Sequence, residues 1–210
     1  MAIRARVVAT AALAASLLCS CAAPPEAPTA VFVGDSFTEG YALGPADAGE
    51  RWPTVLAETL GWEEINAGCA GAGYTRQGSV CLTTFREQLP VHIEAEPDII
   101  VLSGGLNDVE SSGEEVQAAV RATYLSVRDT YPEATIYAVA GNAPNAATAS
   151  ALDDINAAVA TAAEEIDAVF VDIGDPLQDR PDLLASDGFH PNAEGHHVIA
   201  ELTSNVIAGD

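Results

Sequence analysis

Ser36 sits in the stretch VFVGDSFTEGY, directly after a short apolar run that breaks at Gly34. A serine hydroxyl becomes a nucleophile only when a base takes its proton and a third group fixes the tautomer of that base. The chain offers four histidines for that part: His92, His190, His196 and His197. His92 precedes an apolar run that reads as a strand, which places it toward the amino end of a sheet, away from Ser36. His196 and His197 fall inside a helical stretch, where surface positions are expected, and as helix neighbours they cannot easily face one metal. His190 lies in SDGFHPN, a loop of turn residues immediately before that helix, with Asp187 just upstream. One tight turn would bring the Asp187 carboxylate onto the imidazole. The same loop also reads as a helix start, because Pro191 and Asn192 are helix-initiating residues. Ser36 likewise has the alternative of capping the segment that follows the strand.

These groups can meet only if the elements between them deliver them to one place. TAVFV (29–33) reads as a strand, and WPTVLAETLG (52–61) as a helix with Pro53 near its start and Gly61 at its end. EEINAG (63–68) is a short second strand entering a glycine-rich turn. DIIVLSGG (98–105) is continuously apolar and rich in β-branched residues, as expected of a strand covered on both faces. A helix is predicted over 113–130, a strand over ATIYAVAG (134–141), and an Ala-rich helix over 148–166. AVFVDIG (168–174) is the fifth strand, and a closing helix runs from Asn192 to about Ile207. Strands alternating with helices predict an α/β protein: a three-layer α/β/α sandwich around a central parallel five-stranded sheet. Ligands bind such sheets at the carboxyl ends of the strands. Gly34-Asp35-Ser36 ends the first strand, Asn66 to Gly73 ends the second, and Gly104 to Asp108 ends the third, all on one edge.

The 210 residues contain no internal repeat and fit one domain. The N-terminus reads as an export signal: Arg4 and Arg6, then an apolar run from Val7 to Leu18 too short to span a bilayer comfortably. Leu18-Cys19-Ser20-Cys21 resembles a bacterial lipobox, which would make residues 1–20 a lipoprotein signal peptide and Cys21 the lipidated residue. Cleavage further on, near Ala22 or Ala23, would give a secreted protein instead. AAPPEAP completes a tether over 21–28. Export leaves Cys69 and Cys81 in an oxidising compartment, where a disulfide is the natural pairing. Without the signal the domain keeps six arginines and no lysine against 31 acidic residues. Such a surface repels phosphate backbones and anionic lipid, so nucleic-acid binding is excluded and membrane attachment would come through the N-terminal lipid alone.

Rival motifs are weaker. Ser36 is not in a G-x-S-x-G elbow, GAGYTR lacks the third glycine of a dinucleotide fingerprint, and there is no H-E-x-x-H. Asp35 and Asp108 are expected to hydrogen-bond turn backbone rather than act as a carboxylate pair. The segments 41–53, 141–150 and 180–186 would wall the site; they are rich in small residues and suggest a shallow site for short acyl groups.

Four blocks carry a resemblance: Gly34-Asp35-Ser36-Phe37, Asn66-Ala67-Gly68-Cys69-Ala70-Gly71, Gly105-Leu106-Asn107-Asp108 and Asp187-Gly188-Phe189-His190-Pro191. In this order the chain resembles the SGNH hydrolases, also called GDSL esterases and lipases, over 29–210, with Phe37 where leucine is common. The resemblance implies a flavodoxin-like sheet order and a carboxylic ester hydrolase. Ser36 would be the nucleophile, His190 the base and Asp187 its orienting partner. The oxyanion hole would combine the Ser36 N–H, the Gly71 N–H and the Asn107 amide, with Gly68 allowed in place of Gly71 by a shifted alignment. No metal or other cofactor is implied, and the substrate would be a small-molecule or glycan ester. Two other uses of the same site are an acyltransferase that passes the acyl group to a sugar or lipid alcohol, and an idle glycan-binding surface protein.

Overall fold

The computed structural model describes residues 26–92, 96–111 and 113–209, so the signal segment and Cys21 lie outside the described residues. In chain order the elements are β1 (Thr29–Gly34), α1 (Ser36–Glu39), α2 (Trp52–Leu60), β2 (Glu63–Asn66), α3 (Phe85–His92), β3 (Ile99–Ser103), α4 (Gly113–Thr130), β4 (Thr135–Val139), α5 (Ala146–Glu165), β5 (Val169–Val171) and α6 (Ala193–Ala208). The five strands form one sheet in the order β2-β1-β3-β4-β5, with every pairing parallel. This is the five-stranded α/β/α sandwich expected from the alternating pattern.

The core lies in two layers because strand residues alternate between the faces. Val31, Val33, Ile100, Leu102 and Ile136 meet Phe85, Val120, Tyr124, Leu152 and Val159 from α3, α4 and α5. On the opposite face Ala30, Phe32, Ile99 and Val101 meet Trp52, Leu56, Ile199 and Ala200 from α2 and α6. All five residues of β3 are buried, which accounts for its unbroken apolar run. Burial of each large side chain contributes about 1.5–3 kcal/mol, so much of the fold's stability is concentrated at the sheet's middle.

The strand order places the site. From β1 the chain steps outward to β2, then crosses back to β3 on the other side of β1. The loops leaving β1 and β3 therefore diverge, and the crevice between their carboxyl ends is the natural ligand position. Register sets Gly34 opposite Ser103 at that crevice. Gly34 is there for space: a Cβ would stand 2.1 Å from Thr38 Oγ1 and 2.6 Å from the Ser103 carbonyl. No helix among the described residues is long and apolar enough to cross a membrane.

One element was not foreseen and one expectation needs correction. α3 was not foreseen; Pro90 within FREQLPVH reads as a helix breaker, yet Phe85 and Leu89, one turn apart, are both buried in the core. His196 is not a surface residue. It is 1% exposed, and its Nδ1 accepts the Trp52 N–H at 3.3 Å, joining α6 to the start of α2. Burial, followed by the charges of His197 and Arg51, lowers its pKa to about 4, so this histidine is neutral. His197 is exposed and pairs with Glu50 at 2.5 Å.

Candidate active site

Ser36 opens a one-turn helix. Asp35 caps it, its Oδ1 accepting the Phe37 N–H at 3.0 Å, and Gly40 closes it in the left-handed conformation. The Ser36 N–H is a first-turn donor with no acceptor inside the helix, so it remains available to a ligand. Asp35 is buried, and desolvation raises its carboxyl from 3.8 to about 6 against the opposing Phe37 hydrogen bond and the field of His190. Between those values the folded state binds a proton that the unfolded chain has lost. Asp35 therefore favours folding below about pH 4, and that advantage is lost as pH rises through about 6. Asp35→Asn keeps the cap oxygen and removes the titration. It is expected to melt higher than the parent near pH 8, by on the order of 2–3 kcal/mol of stability, with the gap closing toward about pH 4 in thermal scans.

The loop after β2 is stapled to that turn. Asn66 Nδ2 donates to the Thr38 carbonyl at 2.8 Å, the Cys69 N–H donates to the Gly34 carbonyl at 3.0 Å, and the Ala70 N–H donates to Glu39 Oε2 at 2.6 Å. Cys69 is bridged to Cys81, closing the loop that carries Gly71. The two candidate oxyanion glycines differ in what their N–H groups meet. The Gly68 N–H is already committed to Asn66 Oδ1 at 2.9 Å. The Gly71 N–H has no acceptor among the described residues, and its φ of +80° is a conformation that favours glycine.

The loop after β3 grips the same segment. Asn107 Nδ2 donates one hydrogen to the Ala72 carbonyl at 2.8 Å, beside Gly71. That bond fixes which end of the amide is the donor and leaves its second hydrogen for another acceptor. Asp108 is fully buried and accepts from the Tyr74 N–H, the Thr75 N–H and the Thr75 hydroxyl at 2.8, 2.8 and 2.7 Å. Asp35 and Asp108 thus serve turn backbone, as expected. Glu39, at the end of α1, which holds the loop after β2 through the Ala70 N–H, was not foreseen.

His190 arrives from the other end of the chain. Asp187 Oδ1 accepts the Phe189 and His190 N–H groups at 2.9 and 3.0 Å, winding the loop into one turn. Asp187 Oδ2 lies 2.7 Å from His190 Nδ1, and His190 Nε2 lies 3.0 Å from Ser36 Oγ, across 154 residues of sequence. With the ring proton on Nδ1, the hydroxyl donates to Nε2 and Nδ1 donates to the carboxylate. The imidazole contact, then the Phe189 N–H, lowers the Asp187 carboxyl to about 2, so it stays charged until strongly acidic pH. Asn192 anchors the loop, its Oδ1 capping α6 through the Gly195 N–H and its Nδ2 donating to the Asp182 and Leu184 carbonyls.

Aromatic rings surround the imidazole. Phe37, buried, is 5.7 Å from it between ring centres, and Phe189 is 5.2 Å away. Tyr41 is 5.1 Å away but 62% exposed. The structure therefore gathers Ser36, His190, Asp187, Gly71 and Asn107 from four loops on one sheet edge: a hydroxyl, an imidazole and a carboxylate in hydrogen-bonded series, with donors on adjoining loops. That arrangement suits acyl transfer.

The chain is similar to known proteins. The GDSL lipase Rv0518 of Mycobacterium tuberculosis is 28% identical over 190 residues, spanning 86% of this chain and 81% of that protein. Two solved structures share the fold. A family two carbohydrate esterase from Clostridium thermocellum in complex with cellohexaose superposes with a TM-score of 0.71 at 18% identity, over 90% of this chain and 66% of that one. The psychrotrophic esterase EstA from Pseudoalteromonas sp., inhibited by monoethylphosphonate, gives 0.64 at 18% identity over 87% and 97%. Residues 32–198, most of the chain and all four blocks, match the GDSL-like Lipase/Acylhydrolase family, and the chain belongs to it.

Proposed function

We propose that the protein is an exported, lipid-anchored serine esterase that cleaves small-molecule or glycan esters through an acyl-Ser36 intermediate. The observation that carries this is the unbroken series Ser36 Oγ, His190, Asp187 at 3.0 and 2.7 Å. His190 Nε2 takes the hydroxyl proton as Ser36 Oγ bonds to the ester carbonyl carbon. The carbonyl electrons move onto oxygen, where the Ser36 and Gly71 N–H groups and the Asn107 amide receive the charge; each such donor contributes about 2.7–4 kcal/mol. The C–O bond to the alcohol then breaks, and His190 hands its proton to the departing oxygen. Water repeats the sequence on the acyl-enzyme, losing a proton to His190, and the acid leaves as Ser36 recovers its own. Asp187 holds the ring proton on Nδ1 throughout. The family's activity supports this reading, and the inhibition of EstA by a phosphonate and the oligosaccharide on the carbohydrate esterase are in keeping with it.

Export rests on the basic start, the short apolar run and the Leu18-to-Cys21 segment. One mass-spectrometric experiment covers both halves. Protein extracted from membranes and treated with a fluorophosphonate is expected to carry one phosphonyl group on the peptide containing Ser36 and a diacylglyceryl group on Cys21. An unmodified N-terminus beyond Cys21 would remove the anchor, and a phosphonyl group elsewhere, or none, would remove the mechanism.

A further inference from the structure

We propose that Tyr41 is the subsite for the departing alcohol, and that this alcohol is an uncharged pyranose whose C–H face lies on the exposed tyrosine ring. The proposal rests on the reading of His190 as the base and names the half of the ester that the site selects.

Tyr41 is held in place although its ring is in water. Its N–H donates to the Ser36 carbonyl at 3.0 Å, just past the left-handed Gly40, so its backbone is fixed relative to the nucleophile. The ring is tilted 45° to the imidazole of His190 with centres 5.1 Å apart, and the side chain remains 62% exposed. Phe37 behaves differently: it is 7% exposed and packs against both His190 and Phe189, so it supports the imidazole from within. The site thus has two aromatic rings, Phe37 and Phe189, that hold the base and a third, Tyr41, that touches the base while exposed to solvent.

The chemistry says what that face meets. His190 Nε2 must reach the alcohol oxygen to protonate it, whereas the acyl carbon sits on Ser36 and its oxygen faces Gly71 and Asn107. A ring in contact with the imidazole therefore borders the alcohol rather than the acyl chain. Tyrosine supplies a rigid apolar surface with a polar tip, suited to a flat ring that is apolar on one face and hydroxylated at its edge.

Charge narrows the class. A formal net charge of −23 disfavours phosphorylated alcohols. A cationic alcohol would be held by a cage of several exposed aromatic faces, but of the three rings beside His190 Phe37 is buried and Phe189 half-buried, which leaves Tyr41 as the exposed one. A neutral ring alcohol meets neither obstacle.

The test holds the acyl group constant. Wild type, Tyr41→Phe and Tyr41→Ala are assayed on ethyl acetate, acetylcholine and a mono-O-acetylated methyl glucopyranoside, all forming the same acetyl-enzyme. Tyr41→Ala is expected to lower kcat/KM for the sugar acetate about fivefold to tenfold, with ethyl acetate changed less than about twofold and Tyr41→Phe near the parent. Equal losses on all three esters would overturn the subsite and make Tyr41 a support for His190. A loss confined to acetylcholine, or a parent with no preference for the sugar acetate over ethyl acetate, would overturn the pyranose. If the parent turns over none of the three, the esterase reading itself fails and the subsite with it. Circular dichroism of Tyr41→Ala, together with retained ethyl acetate turnover, separates these results from misfolding.

Discussion

Ser36→Ala is expected to lower hydrolysis of a short p-nitrophenyl ester by at least about 10³-fold, with a melting temperature within about 2 °C of the parent. The two halves of that statement have different sources. The side chain is only half-buried and among the described residues its Oγ bonds to His190 Nε2 alone, at 3.0 Å, so truncation removes one part-buried hydrogen bond and leaves no sizeable cavity. The chemistry has no such reserve, because once Oγ is gone there is nothing for the acyl group to bond to. The proposed oxyanion donors, namely the residue-36 N–H, the Gly71 N–H and the Asn107 amide, all survive the substitution and could still stabilise attack by water. Nucleophile and base act as a unit, so Ser36→Ala combined with His190→Ala should be little slower than either alone. Turnover above about a tenth of the parent in Ser36→Ala, measured as initial rates with purified protein, would mean that another group is the nucleophile.

The degree to which this site could be read in the sequence follows from how each part is held. β1 and β3 run into glycines, Gly34 and Gly104-Gly105, and the first polar residues past those glycines are Asp35-Ser36 and Asn107-Asp108. Position along the chain therefore implied position on the sheet edge. The Asp187 turn is equally local: all its hydrogen bonds run within three residues of the carboxylate, to Phe189 and His190. Glu39 could not be placed in this way, because its acceptor role depends on Ala70, which lies 31 residues away and reaches it only when the β2 loop folds over α1. Tyr41 meets His190 from opposite ends of the domain, so no spacing in the chain could signal the contact. His196 is a different case. It shares a helical stripe with Ile199, Ala200 and Thr203, all buried, and that periodicity was present in the sequence. Its chemical type suggested surface and its position dictated core. The packing won, because Nδ1 found a backbone donor at the start of α2 and a neutral imidazole can be buried once it is hydrogen-bonded.

Asp187→Asn separates a carboxylate that orients His190 from one that only builds the loop. Both roles are visible in the structure: Oδ1 takes two backbone N–H groups and Oδ2 takes the imidazole. Asparagine can keep the first set with its carbonyl oxygen, which turns its NH₂ toward Nδ1. Two donors cannot share a hydrogen bond, so Nδ1 must give up its proton and the ring must carry it on Nε2. Nε2 then donates to Ser36 Oγ when it should accept, and the serine loses its base. Asp187→Asn is therefore expected to cost on the order of 10³-fold in kcat while the melting temperature hardly changes. Asp187→Ala frees the imidazole to take either tautomer and should lose less activity than the asparagine variant. It also releases the Phe189 and His190 N–H groups from their acceptor, so it should melt lower. If Asp187 were only a turn-builder the ranking would invert, with asparagine close to the parent and alanine the slower enzyme. Measuring kcat and melting temperature on the pair thus distinguishes the two roles by the sign of a difference, and the more conservative replacement is expected to be the more damaging one.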